Sequence, residues 1–352
     1  MAKIIGIGNA LMDVLVPVTD EELRQTGLRK GDMTLVDGAI ATPALEDRNR
    51  ERVMATGGSA SNTIMGLALL GAQTAFVGQV EDDEMGRAYV TGLQERGTEW
   101  LGDRFSQTCQ MQTKAADVGT GVAYTFVTPD GERTFATYLG AAARVTEVGM
   151  AQLEQAEIRP GEVVYVEGYL VPANPGFVLE AMRYAKSRGA LVALDLASAA
   201  LVESNHTLME EVLTLVDICF ANESEAEAYG GSTDSGENAR RLAQVVQTAV
   251  VKLGKRGAMC VWSADTDGGN AALQSVEVAS HNPKPLDTTA AGDFFAAGFL
   301  FAYTRARAND ACASAHVLKQ CVELGNRMAG EVIQVYGTQV RRENIRRLAQ
   351  SL

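Results

Sequence analysis

The sequence predicts an α/β fold: a doubly wound, mostly parallel sheet with helices on both faces, plus a small β lid. Three features carry this reading. Short apolar runs alternate with amphipathic helical stretches along most of the chain, the signature of successive strand–helix–strand units. Those runs are nearly continuous in Val, Ile, Leu and Ala, as in strands covered on both faces. Two segments break the pattern with strand-like runs of their own and read as all-β insertions.

Taken in order, residues 3–8 (KIIGIG) are a short buried strand. Residues 59–71 (SASNTIMGLALLG) follow a glycine pair and open as a helix on a serine. A strand at 74–80 and an amphipathic helix at 84–96 come next. VVYVEGY (163–169) is a strand, 176–189 a helix ending at glycine, and ALVALDL (190–196) a strand. VDICFAN (216–222) runs into polar residues, and TAVVKLG (248–254) and GAMCVW (257–262) are two strands around Gly-Lys-Arg-Gly. From about 291 the chain is mostly helical, with an extended piece near 331–337. The first insertion, 13–37, holds DVLVPV and MTLV with no helix between them. The second, 109–139, holds alternating runs around Pro129-Asp130-Gly131, a hairpin signal. These two form the expected lid; residues 1–12, 38–108 and 140–352 form the large domain.

The 352 residues are 46% apolar and 21% charged, which excludes a disordered chain. A net charge of −13 argues against a protein that grips nucleic acid or an anionic membrane. It leaves room for a phosphate ligand, because backbone amides and Mg²⁺ bind phosphate on acidic proteins. The five cysteines (109, 219, 260, 312, 321) form no CxxC pair, so neither a disulfide framework nor a thiolate zinc site is expected, and a reducing cytoplasm is the simplest compartment. Asn9, Asp13 and Pro17 interrupt the apolar start, making it a poor signal peptide. The longest apolar run, Phe294–Tyr303, is about half a membrane span. A monomer or homodimer that binds neither nucleic acid nor membrane is expected.

The phosphate loop GxxxxGK[ST] is absent, and Gly6-Ile7-Gly8 fails as a dinucleotide fingerprint because Leu11 replaces its third glycine. The informative segment is Asp287-Thr288-Thr289-Ala290-Ala291-Gly292-Asp293, running straight into FFAAGFLFAY. Small residues let backbone approach a ligand, and a helix start offers unpaired N–H groups and a positive dipole end. Charge developing on a transferred phosphoryl group would be stabilised there, with Asp293 beside it to accept a proton. By itself the segment reads equally well as an ordinary loop with Asp293 as helix N-cap. Histidines 206, 281 and 316 have no metal-ligand spacing.

DTTAAGD followed by an apolar helix resembles the C-terminal signature of the PfkB-type carbohydrate kinases, the ribokinase-like family. Its usual form is DTxGAGD; Ala290 stands where glycine is usual. The resemblance implies that Asp293 is the catalytic base and that the amides of Ala290, Ala291, Gly292 and Asp293 form the anion hole. It also assigns Asp287 and Thr288 to the nucleotide side. Further features of the family follow in order over nearly the whole chain. Gly57-Gly58-Ser59-Ala60-Ser61-Asn62 resembles the N-terminal signature, whose glycines, serine and asparagine face substrate hydroxyls. Asn9 and Asp13, in GxGNxxxD, correspond to acceptor-binding positions, a carboxylate being able to accept from two hydroxyls at once. Asn222 and Glu225 resemble the NxxE element that positions Mg²⁺ through water. Lys252, Gly254 and Gly257 resemble the nucleotide-side turn; lysine replaces the frequent threonine or serine at 252 and would add a phosphate contact. Asn326 is assigned to the adenine pocket.

The implied reaction uses ATP as co-substrate with Mg²⁺; a monovalent cation stays open. The implied acceptor is a hydroxymethyl oxygen. GxGNxxxD with GGSxxN resembles the adenosine-kinase-like members, so a nucleoside is favoured; Met12, Met33, Phe126 and Phe135 read equally as apolar cover for its base and as lid core. A free sugar of the ribose or fructose type, or a non-catalytic binding relative, is the alternative.

Overall fold

The computed structural model describes residues 2–31, 33–38, 47, 50–102, 118–264, 272–280, 284–308 and 314–350. Residues 109–117 of the expected lid lie outside them. The strands are β1 (Ile4–Ile7), β2 (Leu11–Pro17), β3 (Met33–Leu35), β4 (Val53–Gly57), β5 (Thr74–Val77), β6 (Thr98–Trp100), β7 (Gly121–Val127), β8 (Arg133–Tyr138), β9 (Val163–Glu167), β10 (Leu191–Asp195), β11 (Ile218–Asn222), β12 (Thr248–Lys252), β13 (Ala258–Ala264) and β14 (Ala272–Val278). The main helices are α1 (Asp20–Gln25), α2 (Ser59–Leu70), α3 (Glu84–Glu95), α4 (Pro175–Ser187), α5 (Glu223–Gly230), α6 (Ser235–Ala243), α7 (Ala291–Arg307), α8 (Ala315–Val332) and α9 (Arg342–Gln350).

The large sheet runs β14-β13-β12-β11-β10-β9-β1-β5-β6. All neighbours from β12 to β6 are parallel, and β13 and β14 add an antiparallel edge. Alternate residues of each strand enter two separate cores. Ile4, Phe76, Tyr165 and Phe220 pack with α2, α3, α7, α8 and α9. Ile5, Val77, Val164 and Cys219 pack with α4 and α6. This two-sided burial is why the strands read as continuous apolar runs. Helix α7 is apolar all round because its middle is enclosed: every residue from Phe294 to Thr304 is buried. It approaches α2 closely at Gly66, where a Cβ would lie 2.9 Å from the Ala297 Cβ.

Strand order reverses at β1, which lies between β9 and β5. The β5 and β6 connections run one way and the β9 to β12 connections the other, leaving a crevice at the carboxyl ends of the strands.

The small sheet is ordered β3-β8-β7-β2-β4. The expected hairpin forms from β7 and β8. Three expectations need correction. Residues 13–37 do contain a helix, α1, whose N-terminus is set by a Thr19–Glu22 capping box, a reciprocal pairing legible as T-x-x-E in the sequence. Residues 53–57, assigned by sequence to the large domain, pair with β2 as an edge strand, and β2 begins at Leu11 rather than at residue 13. The piece at 331–337 is not extended; it is the end of α8 and a turn closed by Val335 N donating to Val332 O. Val14, Val16, Phe126 and Ala136 fill a separate small core with Val18 and Leu23. Phe126 is therefore core, and Met12 is buried with the large core, so neither is free to cover a ligand. Phe135 and Met33 pair side by side in register and share the face that carries Asp13.

Candidate active site

Four adjacent strands end in polar side chains at one edge of the sheet: Glu167 on β9, Asp195 on β10, Asn222 on β11 and Lys252 on β12. Asn9 follows β1 beside them. The first turn of α7 comes down over this edge. A cavity of about 700 Å³ opens there. Ser59, Asn222, Glu225, Lys252, Gly254, Gly257, Thr288, Ala291, Gly292, Asp293 and Asn326 all line it, so eleven sequence-predicted residues come together. Asn9, Asp13, Gly57, Gly58, Asn62, Asp287 and Ala290 are not among its lining residues.

Asp293 is not the N-cap of α7. The cap is Ala290, at φ 60°, ψ 10°, a left-handed conformation that costs an alanine about 1–2 kcal/mol. Ala197, also at the cavity, is left-handed at φ 67°. Non-glycine residues in this region are typical of functional loops. The first intrahelical bond of α7 runs from Phe294 N to Ala290 O. The Ala291 amide donates back to Thr288 O at 3.3 Å, so it is already partly engaged. Among the described residues the backbone bonds leave the Gly292 and Asp293 amides at the open helix end.

The Asp293 carboxylate accepts from Ser59 Oγ at 2.8 Å and from Asn62 Nδ2 at 3.0 Å, both on the first turn of α2. Burial pushes its pKa up to about 6; the Asn62 bond opposes this and the Asp195 charge adds to it. Asn62 Oδ1 is buried and accepts no bond among the described residues. The Asp13 carboxyl is pushed up to about 7 by burial and by the Asp293 charge. The glycine pair makes this geometry feasible. A Cβ at Gly57 would collide with the Asp13 carboxylate, and one at Gly58 (φ 90°) with Asn9 O.

On the other side of Asp293 lies a cluster the sequence only half predicted. Lys252 Nζ donates to Asp195 Oδ2 at 2.6 Å. Burial pulls the ammonium pKa down, but the Asp195 and Glu225 charges more than reverse it, so it is held up. A Cβ on Gly292 would lie 3.1 Å from Lys252 Nζ, so the ammonium sits against the helix start. Asn222 caps α5 and forms a reciprocal box with Glu225: Asn222 N and Nδ2 donate to the carboxylate at 2.7 and 2.6 Å, and Glu225 N donates to Asn222 Oδ1 at 2.8 Å. Burial and the Asp195 charge raise Glu225 to about 7. Among the described residues no group of three His, Cys, Asp or Glu is spaced to hold a metal ion directly.

Asp287 serves the loop itself. Its Oδ1 accepts from Thr289 N at 2.8 Å and its Oδ2 from Gly337 N at 2.7 Å. Arg133, on β8 of the small sheet, bonds both Asp287 and Thr289 Oγ1. Burial favours the neutral acid, but these donors outweigh it and hold Asp287 below the usual carboxylate range. Asn326 Nδ2 donates to Val278 O at 3.0 Å, holding the end of β14 while its residue lines the cavity. A Cβ on Gly257 would strike Val278 O, whereas Gly254 faces open space.

Sequence reasoning missed Glu167, Asp195 and Arg133. A signal existed for the first two. Each is the lone acid that ends an apolar strand run, VVYVE and LVALD, at the sheet edge where open α/β folds bind ligands. Arg133 had none, because its partner is 154 residues away.

A pfkB family carbohydrate kinase model matches residues 31–344. The adenosine kinase of Saccharomyces cerevisiae is 26% identical over 98% of both chains. Among solved structures, the adenosine kinase from Sinorhizobium meliloti is 32% identical and covers 99% of both chains with a TM-score of 0.79. A probable sugar kinase protein from Rhizobium etli is 28% identical, covers 99% of this chain and 98% of its own, and has a TM-score of 0.79.

Proposed function

This chain belongs to the pfkB family of carbohydrate kinases, phosphotransferases that act on an alcohol group, and we propose that it transfers the γ-phosphoryl group of ATP to a hydroxymethyl oxygen of an adenosine-like nucleoside. The observation that carries this reading is Asp293. It stands in the first turn of α7, beside unpaired helix amides and between the cavity and the acceptor-side residues. Its pKa of about 6 leaves it ionised at neutral pH yet basic enough to act.

In the reaction, Asp293 takes the hydroxyl proton as the acceptor oxygen attacks the γ-phosphorus. The bond from that phosphorus to the β–γ bridging oxygen breaks, and ADP departs with the electron pair. The Gly292 and Asp293 amides, the α7 dipole and the Lys252 ammonium stabilise the charge on the moving group, as transfer dominated by positioning requires. Asp13 and Asn62 Oδ1 accept from the acceptor's other hydroxyls. Gly254 and Gly257 give the nucleotide access to backbone, and Asn326 borders its base. Asp195, Glu225 and Asp293 face the Lys252 ammonium, and even with the exposed Lys255 at the cavity the negative charges outnumber the positive, which fits a hydrated dication. Asn222 and Glu225 would hold Mg²⁺ through water, since their side chains are occupied with each other. Bound there, Mg²⁺ would neutralise the phosphate oxygens of ATP.

Two observations favour a nucleoside over a free sugar. Among curated relatives the adenosine kinases match nearly the whole chain, whereas ribokinases and fructokinases match 64–73% of it. The Asp13 face of the small sheet also presents apolar side chains: Met33, Leu35 and Val53 are 48%, 61% and 43% exposed. Such a face suits a flat base. The sugar reading rests on those shorter ribokinase and fructokinase matches and on the Rhizobium etli likeness. Cys219, Cys260 and Cys321 are buried free thiols, and no helix among the described residues is long and apolar enough to cross a membrane; both accord with a proposed cytoplasmic site of action.

The test is ADP release from Mg·ATP against a panel of nucleosides and free sugars, with Asp293→Asn as control. Turnover on a nucleoside that the control lacks supports the proposal. Turnover confined to a sugar overturns the acceptor and keeps the mechanism. Ligand binding without turnover would favour a non-catalytic relative.

A further inference from the structure

Glu167 is 1% exposed and lies at the carboxyl end of β9. Its Oε1 accepts from Asn9 N at 2.8 Å and from Asn9 Nδ2 at 2.6 Å, and its Oε2 accepts from Ala60 N at 2.8 Å. Space for the carboxylate comes from Gly8, where a Cβ would lie 2.7 Å from Oε2. A buried carboxylate is costly unless donors surround it. Here three N–H groups do, one of them in the first turn of α2, where the helix dipole favours an anion.

The two segments it ties together are both crossings between the sheets. Residues 8–10 lead from β1 into β2, and Gly58 leads from β4 into α2. Each also carries one half of the acceptor site. Asp13 lies on β2, and Ser59 and Asn62 on the first turn of α2 hold Asp293. We propose that Glu167 is a positioning residue for phosphoryl transfer: by clamping Asn9 to the start of α2, it sets the spacing between Asp13 and Asp293. It hydrogen-bonds to neither carboxylate, though burial and the Asp293 charge raise its own pKa to about 7; its bonds act through Asn9 and the Ala60 amide. The Asn9 side-chain amide is engaged with Glu167, so Asn9 belongs to this clamp more than to the acceptor's contacts. The inference rests on the kinase reading above.

The test is Glu167→Gln. The isosteric amide keeps an acceptor for Asn9 and turns an NH₂ toward the Ala60 N–H, so a donor faces a donor. Steady-state kinetics on the best acceptor would be paired with calorimetric binding of a non-hydrolysable ATP analogue. The expected result is an acceptor KM raised about tenfold or more and a lowered kcat, since small misplacements of reacting groups cost up to about a hundredfold. ATP-analogue affinity should stay within about twofold, which a general loss of fold would not allow. Asn9→Ala removes one of the three bonds and should shift acceptor KM the same way by a smaller factor; it is the variant to read if Glu167→Gln does not fold. Unchanged acceptor KM and kcat in either folded variant, or an equal loss of nucleotide affinity, would overturn the inference while the wild type still turned over. A wild type inactive on every acceptor would overturn the kinase reading and the positioning role with it.

Discussion

On the acceptor side of Asp293, the polar groups are held by one another. Ser59 and Asn62 bond Asp293, Glu167 bonds Asn9 and Ala60, and glycines clear the space around Asp13. On the nucleotide side, the cavity is lined by loop glycines, a helix cap and one ion pair, Lys252 with Asp195. The first half is a preformed hydrogen-bond lattice, in which a small displacement leaves a buried group unpaired. The second is an electrostatic basin, tuned by the balance of three carboxylates and the Lys252 ammonium, with the exposed Lys255 also at the cavity. Substitutions in the acceptor half should therefore show as geometry and specificity, and those in the nucleotide half as charge and pH dependence.

The largest effect is expected where the halves meet. Asp293→Asn should lower kcat by about 10³-fold with the circular dichroism spectrum unchanged, mid-range for loss of a general base; a loss under tenfold would remove Asp293 as the base. In the wild type, kcat should rise with pH through about 6 and then level, because the carboxylate must be ionised to take the proton.

Lys252→Met tests the basin. Removing the ammonium strips charge from the anion site and should lower kcat by about 10²-fold. Lys252 also lowers the Asp293 pKa, so the midpoint of the pH–kcat curve should move above that of the wild type. An unmoved midpoint would break the contrast between the halves, because Lys252 would then act by packing alone.

Asp13→Asn tests the lattice. Acceptor KM should rise by about tenfold or more, by analogy with losing a hydrogen bond to a charged group, with ATP KM unchanged. Stability should move the other way. The folded-state pKa of Asp13 is raised from 3.8 to about 7, so its ionisation works against folding. The stability this residue contributes is present in acid and is lost as pH rises through about 7. The variant's melting temperature should gain on the wild type between those limits and hold its lead above them. A constant gap across that range would show that Asp13 is well solvated.

The smallest effect belongs to Ala290. Glycine has no Cβ to strain at φ 60°, so Ala290→Gly should stabilise the protein by about 1 kcal/mol, read from urea unfolding, with turnover within about threefold. A destabilised variant would mean that the added freedom of the unfolded chain outweighs the strain.

Sequence alone determined the parallel strands, the β7–β8 hairpin, the DTTAAGD loop at a helix start and the GGSASN turn. Each rests on local chemistry: apolar runs for strands buried on both faces, a Pro-Asp-Gly turn, and small residues where backbone meets a ligand. Only the tertiary structure decided that 53–57 joins the small sheet, because an edge strand is defined by its partner and not by its own residues. The same holds for Asn222 and Glu225, whose motif suits a helix cap and a water-mediated metal contact alike. Asp287 reads in sequence as a ligand-side residue, yet it is spent on Thr289, Gly337 and Arg133. Glu167 and Asp195 were visible only as acids at strand ends. Their meaning came from donors up to 158 residues away, which sequence spacing does not carry and chain folding brings within hydrogen-bond reach.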